Sequence, residues 1–163
     1  MALRIAVTGH SGFVGCWLLR KLTEKASDQE VLPFFSDSAA DISDAATVEA
    51  QLQHLSPDVI VHLASIASPS EASADRRRCF EVNVGGTFNL ANAIVKYTPE
   101  TWLLFVGSSE AYGASFNDSD EPLTECAALN PLSIYGASKA AADLLVGQMA
   151  KEGLNVVRFR PFN

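Results

Sequence analysis

Three observations predict an α/β fold: a parallel sheet wound in two directions, with helices on both faces. Short apolar, β-branched runs alternate with stretches of helical periodicity along the 163 residues. The first such run passes through three glycines directly into a helix, the local order of a βα phosphate-binding turn. No internal repeat, low-complexity segment or linker divides the chain, so residues 1–163 read as one domain.

The elements follow in order. "LRIAVTG", residues 3–9, is a β-branched strand closed by glycine, and "FVGCWLLRKLTEKA" has the apolar spacing of a helix. "EVLPFF", residues 30–35, is a second strand, where Pro33 implies an edge or an irregularity because it donates no ladder hydrogen bond. Residues 43–57 form a helix that a serine cap opens and a proline ends. "DVIVHLA" is a buried strand, and "EASADRRRCFEVNVGGTFNLANAIVKYT" is a long helix, broken early. "TWLLFVGSS" is the next strand, followed by the polar loop "AYGASFNDSDEPLTECAALNP". "NPLSIYGASKAAADLL", residues 130–145, is a helix, and "LNVVRFRPFN" is the last strand.

Composition narrows the function classes. With 48% apolar and 19% charged residues the chain is globular. A net charge of −7 argues against a sequence-independent grip on nucleic acid, so the arginines of "DRRRCF" read as a solvated helix face. Cys16, Cys79 and Cys126 have no metal-ligand spacing and read as reduced thiols of a cytoplasmic protein. No metal site is expected. The N-terminus enters a strand without a signal peptide, and no apolar run approaches the ~20 residues of a membrane span.

"TGHSGFVG" places Gly9, Gly12 and Gly15 between a strand and a helix as GxxGxxG. One glycine makes the tight turn, one admits a pyrophosphate close to the backbone, and one lets helix and strand pack closely. The helix N-terminus then offers free N–H groups and a positive dipole end. The ribose signal is poorer. Asp37 is a candidate, but Phe35 or Ser36 occupies the expected place, and no arginine offers itself to a 2′-phosphate. NAD and NADP are both open. Asp41, followed by Ile42, is a candidate for the adenine amine; the plainer reading is that Asp41 or Asp44 caps a helix.

Tyr135 and Lys139 stand one turn apart on a helix of small residues. A tyrosine of ordinary pKa ~10 needs help to move a proton near neutrality, and a neighbouring ammonium favours the phenolate. Gly136, Ala137, Ser138 and Ala140 leave room for a bulky cofactor on that face. Ser108 and Ser109 close a strand at the same sheet edge as the glycine turn, where a hydroxyl can hold a substrate oxygen. Glu110 is either a general base or a solvated loop acid.

Together "TGHSGFVG", "DVIVHLAS", "NVGGTFNLANA", "GSSEAYG", "NPLSIYGASKAAADLL" and "VRFRPFN" resemble the extended short-chain dehydrogenase/reductases, and within them the NAD(P)-dependent nucleotide-sugar epimerase/dehydratase family. The likeness is nearest to GDP-mannose 4,6-dehydratases and GDP-4-keto-6-deoxymannose reductases. It implies a Rossmann-type NAD(P)-binding domain with NAD or NADP as cofactor. Gly9, Gly12, Phe13, Val14 and Gly15 would hold the pyrophosphate, and Asp41 and Ile42 would flank the adenine. Leu63, Ala64 and Ser65 would line the riboses, Asn83 would support the site, and Pro161 would lie by the nicotinamide. Ser108, Tyr135 and Lys139 would be catalytic, with Glu110 where the dehydratases keep a glutamate base. Ser109 and Asn163 would meet the substrate.

The resemblance further implies a nucleotide-sugar substrate and hydride transfer at sugar C4, of 4-keto reductase or 4,6-dehydratase type. A 4-epimerase, or a non-catalytic dinucleotide-binding fragment, is the alternative. It implies a homodimer through the helices around Val82–Tyr97 and Tyr135–Ala150. Family members continue past "RPFN" into a C-terminal substrate domain, so the chain is expected to be truncated there.

Overall fold

A computed structural model of the protein describes residues 2–25, 28–37, 40–117 and 121–162. Its strands are β1 (Leu3–Thr8), β2 (Gln29–Pro33), β3 (Val59–His62), β4 (Trp102–Val106) and β5 (Val156–Phe159). All pair in parallel in the order β2-β1-β3-β4-β5. The order reverses direction beside β1, so a crevice opens between the carboxyl ends of β1 and β3. Pro33 closes β2, which pairs with β1 alone and forms one sheet edge, as the missing N–H requires.

The helices are α1 (Phe13–Lys25), α2 (Ala45–Leu55), α3 (Pro69–Ala74), α4 (Arg76–Phe80), α5 (Thr87–Tyr97) and α6 (Ile134–Lys151). Alternation along each strand sends side chains to opposite faces. Ala6, Ile60, Leu103 and Phe105 meet Val48 and Leu52 of α2, Leu90 and Ile94 of α5, and Val146 of α6. Ile5, Val7 and Val61 point the other way, towards Leu18, Leu19 and Leu22 of α1. On α1's side the rows continue through Leu104 and Val106 to Val157 and Phe159, which are exposed.

Two helix starts differ from the sequence expectation. The cap of α2 is Asp44, not Ser43: the Asp44 carboxylate accepts from the Ala46 N–H and the Thr47 hydroxyl, while the Ser43 hydroxyl accepts from Arg78. The early break expected in the long helix falls at Asp75, which ends α3 with its backbone and caps α4 through its carboxylate. A π-helical stretch, Glu81–Gly86, then joins α4 to α5. α6 begins at Ile134 rather than Asn130. Pro131 bars helical geometry from the residue before it, Asn130 bridges to Gly113, and Ser133 caps the helix by accepting from the Gly136 N–H.

Asp143 of α6 ties β5 to the sheet. Its carboxylate is fully buried and accepts from Arg158 Nη1 (2.9 Å), Arg160 Nε (2.8 Å) and Arg160 Nη2 (2.8 Å). Arg160 also donates to the Tyr112 hydroxyl and the Glu125 carbonyl, so the chain leaving β5 is held against the loop after β4. Among the described residues no helix is long and apolar enough to cross a membrane.

Candidate active site

The turn after β1 is built by its glycines. Gly9 has φ +66°, and a Cβ there would lie 2.7 Å from the Ala64 nitrogen. A Cβ on Gly15 would lie 2.2 Å from the Gly9 carbonyl oxygen, so α1 starts directly against the turn. Gly12 is different: an added Cβ would meet only the Gly9 oxygen, at 3.3 Å. Internal packing therefore requires Gly9 and Gly15, while Gly12 leaves its outer side open to a ligand. Phe13 and Val14, 85% and 58% exposed, open the first turn of α1, whose N–H groups have no intrahelical partner. This cradle fits a phosphate group.

A cleft of about 320 Å³ adjoins the turn, lined by Gly9, Phe35, Asp41, Ile42, Ala64, Arg78 and other residues. The two residues that the resemblance assigns to adenine both line this cleft: Ile42 is buried against Gly86, and Asp41 is partly exposed. Burial pushes the Asp41 carboxyl up, but the Ser43 N–H and hydroxyl and the Arg78 guanidinium outweigh it, holding it below the ordinary carboxylate range. Asp37 lines the same cleft. Leu63, Ala64 and Ser65 leave β3 half-buried beside it.

Behind the cleft runs a buried polar chain of which sequence reasoning named only Asn83 as a support of the site. The Leu63 and Ala64 N–H groups donate to Thr8 Oγ1, which donates to His62 Nδ1 at 2.7 Å. Thr87 donates its hydroxyl proton to the Asn83 carbonyl at 2.6 Å, so it accepts from His62 Nε2–H at 3.0 Å. The network therefore fixes the neutral, Nε2-protonated tautomer. Burial, with Lys139 adding repulsion, holds the His62 pKa at about 3. Asn83 is buried, and its amide bonds the Ile66 N–H (2.8 Å), the Ile66 carbonyl (3.0 Å) and Ser138 Oγ (2.9 Å). Its amide is thereby occupied in bracing β3's exit against α6. Ser138 passes its own proton to the Tyr135 carbonyl at 2.8 Å. The only local signals were a threonine and a histidine ending apolar strands.

Ser108, Tyr135 and Lys139 converge where β4 ends and α6 begins. Ser108 accepts from the Glu110 N–H at 3.1 Å, and its side chain lies near enough to the Tyr135 phenol to act on its acidity. Ser133 donates to the Glu110 carboxylate at 3.2 Å and so holds that acid near α6's N-terminus. Lys139 is buried; its Nζ donates to the Val106 carbonyl at 3.0 Å, and burial lowers its pKa to about 8. The expected effect of Lys139 on the phenol is therefore not realised in this arrangement. Burial raises the Tyr135 pKa, Ser108 opposes that rise, and Glu110 and Cys79 add to it. Ser109 donates its N–H to the Pro161 carbonyl at 3.1 Å, placing both at the same edge. Asn163 lies outside the described residues. No group of three or more His, Cys, Asp or Glu among the described residues could hold a metal ion.

Two predictions follow from this geometry. Gly12→Ala is expected to keep the melting temperature within a few degrees yet weaken dinucleotide binding by at least ~10-fold, whereas Gly15→Ala is expected to destabilise by roughly 1–3 kcal/mol. Melting curves and calorimetric titration on both variants check the contrast. The second concerns acid. Below its ordinary pKa of 6.5 an unfolded His62 takes a proton that the folded residue refuses until about pH 3, so folding stability falls as pH falls through that window. His62→Gln is expected to flatten this slope; an unchanged dependence of melting temperature on pH between 6.5 and 4 would contradict the assignment.

The profile of the NAD dependent epimerase/dehydratase family matches residues 5–163. The GDP-6-deoxy-D-mannose reductase of Pseudomonas aeruginosa is 32% identical over 164 residues, covering all of this chain and 53% of the reductase. The UDP-glucose 4-epimerase of Mycoplasma genitalium is 29% identical over 181 residues, covering 98% of this chain and 52% of the epimerase. Among solved structures, RMD from Pseudomonas aeruginosa complexed with NADPH superposes with a TM-score of 0.86 at 31% identity, covering all of this chain and 53% of that one. The Thermus thermophilus UDP-glucose 4-epimerase complex with NAD gives a TM-score of 0.82 at 27% identity, covering 97% of this chain and 54% of that one. The chain spans about half the length of the curated relatives it matches. Glycine cradle, cleft, Ser108–Tyr135 pair and full-length match to the profile lead to one conclusion: the chain belongs to the NAD-dependent epimerase/dehydratase family.

Proposed function

We propose that residues 1–163 form the NAD(P)-binding domain of a cytoplasmic enzyme that modifies a nucleotide sugar by hydride transfer at sugar C4, as a 4-keto reductase or 4,6-dehydratase. The observation that carries the reading is that one edge of the sheet holds both the glycine cradle after β1 and, where β4 ends, Ser108 beside the start of α6, whose Lys139 donates to the Val106 carbonyl. A bound nicotinamide dinucleotide supplies the hydride exchange. Gly9, Gly12, Phe13, Val14 and Gly15 bind its phosphates, Asp41 and Ile42 its adenine, and Leu63, Ala64 and Ser65 its riboses. Tyr135 moves the proton at the sugar oxygen, and Ser108 holds that oxygen. Lys139 anchors the tyrosine helix to β4 and reaches the ribose when it leaves the Val106 carbonyl.

The phenol's raised pKa keeps it protonated near neutrality, the form a 4-keto reductase needs in order to donate a proton. Glu110, held by Ser133, is the base for the dehydratase variant of the same chemistry. Pro161 serves the nicotinamide, and Ser109 and Asn163 are the residues assigned to the substrate. The 4-epimerase reading stays as the alternative, because UDP-glucose 4-epimerases match the chain at a comparable identity.

Phe80, Phe88 and Val95 on the helical run through α5, and Leu144 on α6, are exposed apolar residues. They support a homodimer through these helices, since such positions on paired helices bury well only against another apolar surface.

Three measurements test these readings. Titration with NADH and NADPH is expected to show binding of at least one, retained in Tyr135→Phe. In a full-length protein carrying this domain, Tyr135→Phe is expected to abolish the substrate-dependent change in nicotinamide absorbance; retained turnover would sink the mechanism. Light scattering at micromolar concentration is expected to give a dimer, converted to monomer by Phe88→Asp with Leu144→Asp.

A further inference from the structure

Arg78 enters the nucleotide cleft from a distance that the sequence does not suggest. It sits on α4, and its guanidinium reaches back to the turn before α2. Nη2 donates to Asp41 Oδ2, and Nη1 donates to Ser43 Oγ at 2.9 Å. The other Asp41 oxygen, Oδ1, accepts from the Ser43 N–H at 2.9 Å. Each carboxylate oxygen thus has one fixed partner and lone-pair capacity left over. The turn is held from a second side as well: Asn89 of α5 donates to the Ile42 carbonyl (3.2 Å) and the Ser43 carbonyl (3.0 Å). Asp75 caps the helix from which Arg78 projects.

The cleft that Asp41 and Arg78 share has apolar walls at Ile42, Ala64 and Val82. Such walls take a flat purine without regard to its edge substituents. Discrimination between purines must come from the polar rim. A carboxylate there accepts from an exocyclic amine and repels a carbonyl in the same place. It does so only if it is held still, and half-exposed aspartates rotate freely unless anchored. The Asp41 and Arg78 side chains are 37% and 39% exposed, so neither is fixed by burial alone.

We infer that Arg78 is a positioning residue for base recognition: by clamping Asp41 through the Asp41–Arg78–Ser43 triangle, it makes the cleft select an adenine amine over a purine carbonyl. The inference rests on the dinucleotide reading above and adds to it the residue on which base selectivity depends. Arg78 touches no reacting atom in this role; it acts through Asp41.

The test is a calorimetric titration of the protein with the better-bound reduced cofactor and with its hypoxanthine analogue, which carries a carbonyl in place of the amine. The unaltered protein is expected to favour the adenine form by roughly 10-fold or more, the worth of one hydrogen bond to a charged group. Arg78→Ala is expected to weaken the adenine form towards the affinity of the hypoxanthine form, so that the ratio falls close to 1. Arg78→Lys, which keeps the charge but not the fork, is expected to restore part of the ratio. Melting curves of each variant establish that it is folded.

An unchanged ratio in Arg78→Ala overturns the inference. So does an equal loss for both ligands, because a merely structural role moves both affinities together. If the unaltered protein binds no dinucleotide, the cofactor reading fails and this inference falls with it. Binding without base preference leaves the cofactor reading intact and removes only the role of Arg78.

Discussion

The geometry of the site depends on the buried hydrogen-bonded chain from Thr8 through His62, Thr87 and Asn83 to Ser138. It joins the residue before the glycine turn to the helix that carries Tyr135, across β1, β3, the π-helical stretch and α6. Its members are almost completely buried, so an unmade bond would cost the full desolvation of a polar group. Each donor in the chain has a definite acceptor, which leaves few alternative arrangements. The π-helical stretch matters here. It sets Asn83 where one amide bonds both the Ile66 backbone and Ser138. The cradle and the tyrosine are thus held to one register.

Around this chain, α6 buries two opposite charges one turn apart and satisfies them separately. Lys139 turns to the Val106 carbonyl, and Asp143 turns to two arginines at β5. They do not pair with each other, so each ties α6 to a different strand. The cost of burying Lys139 appears as its lowered pKa, and proton release near pH 8 is the corresponding functional latitude.

The two sides of the site differ in character. The cradle side is sterically fixed: Gly9 and Gly15 in close backbone contact and a cleft with apolar walls. The chemical side is a set of hydroxyls and a carboxylate, of which Ser133 and Glu110 meet at the start of α6. Binding energy collected on the first side can therefore be spent in orienting a group on the second, provided that α6 does not move. The hydrogen-bond chain and the Asp143 clamp keep it in place.

By itself the sequence determined the parallel α/β order, the glycine turn and the edge character of β2, because these depend on local spacing and side-chain type. It also identified Asp41 and Ile42 as a pair, without showing what holds them. Tertiary structure alone decided the rest. Arg78 reaches Asp41 across 37 positions of chain, and Thr8 meets His62 across 54. Capping passed from Ser43 to Asp44 because Arg78 engages the serine. Lys139 was expected beside the phenol; the Val106 carbonyl engaged its ammonium instead, and burial raised the Tyr135 pKa. Local pattern records propensity and periodicity. Which hydrogen-bond partner a side chain finds is decided by non-local neighbours, and these exist only once the sheet has assembled.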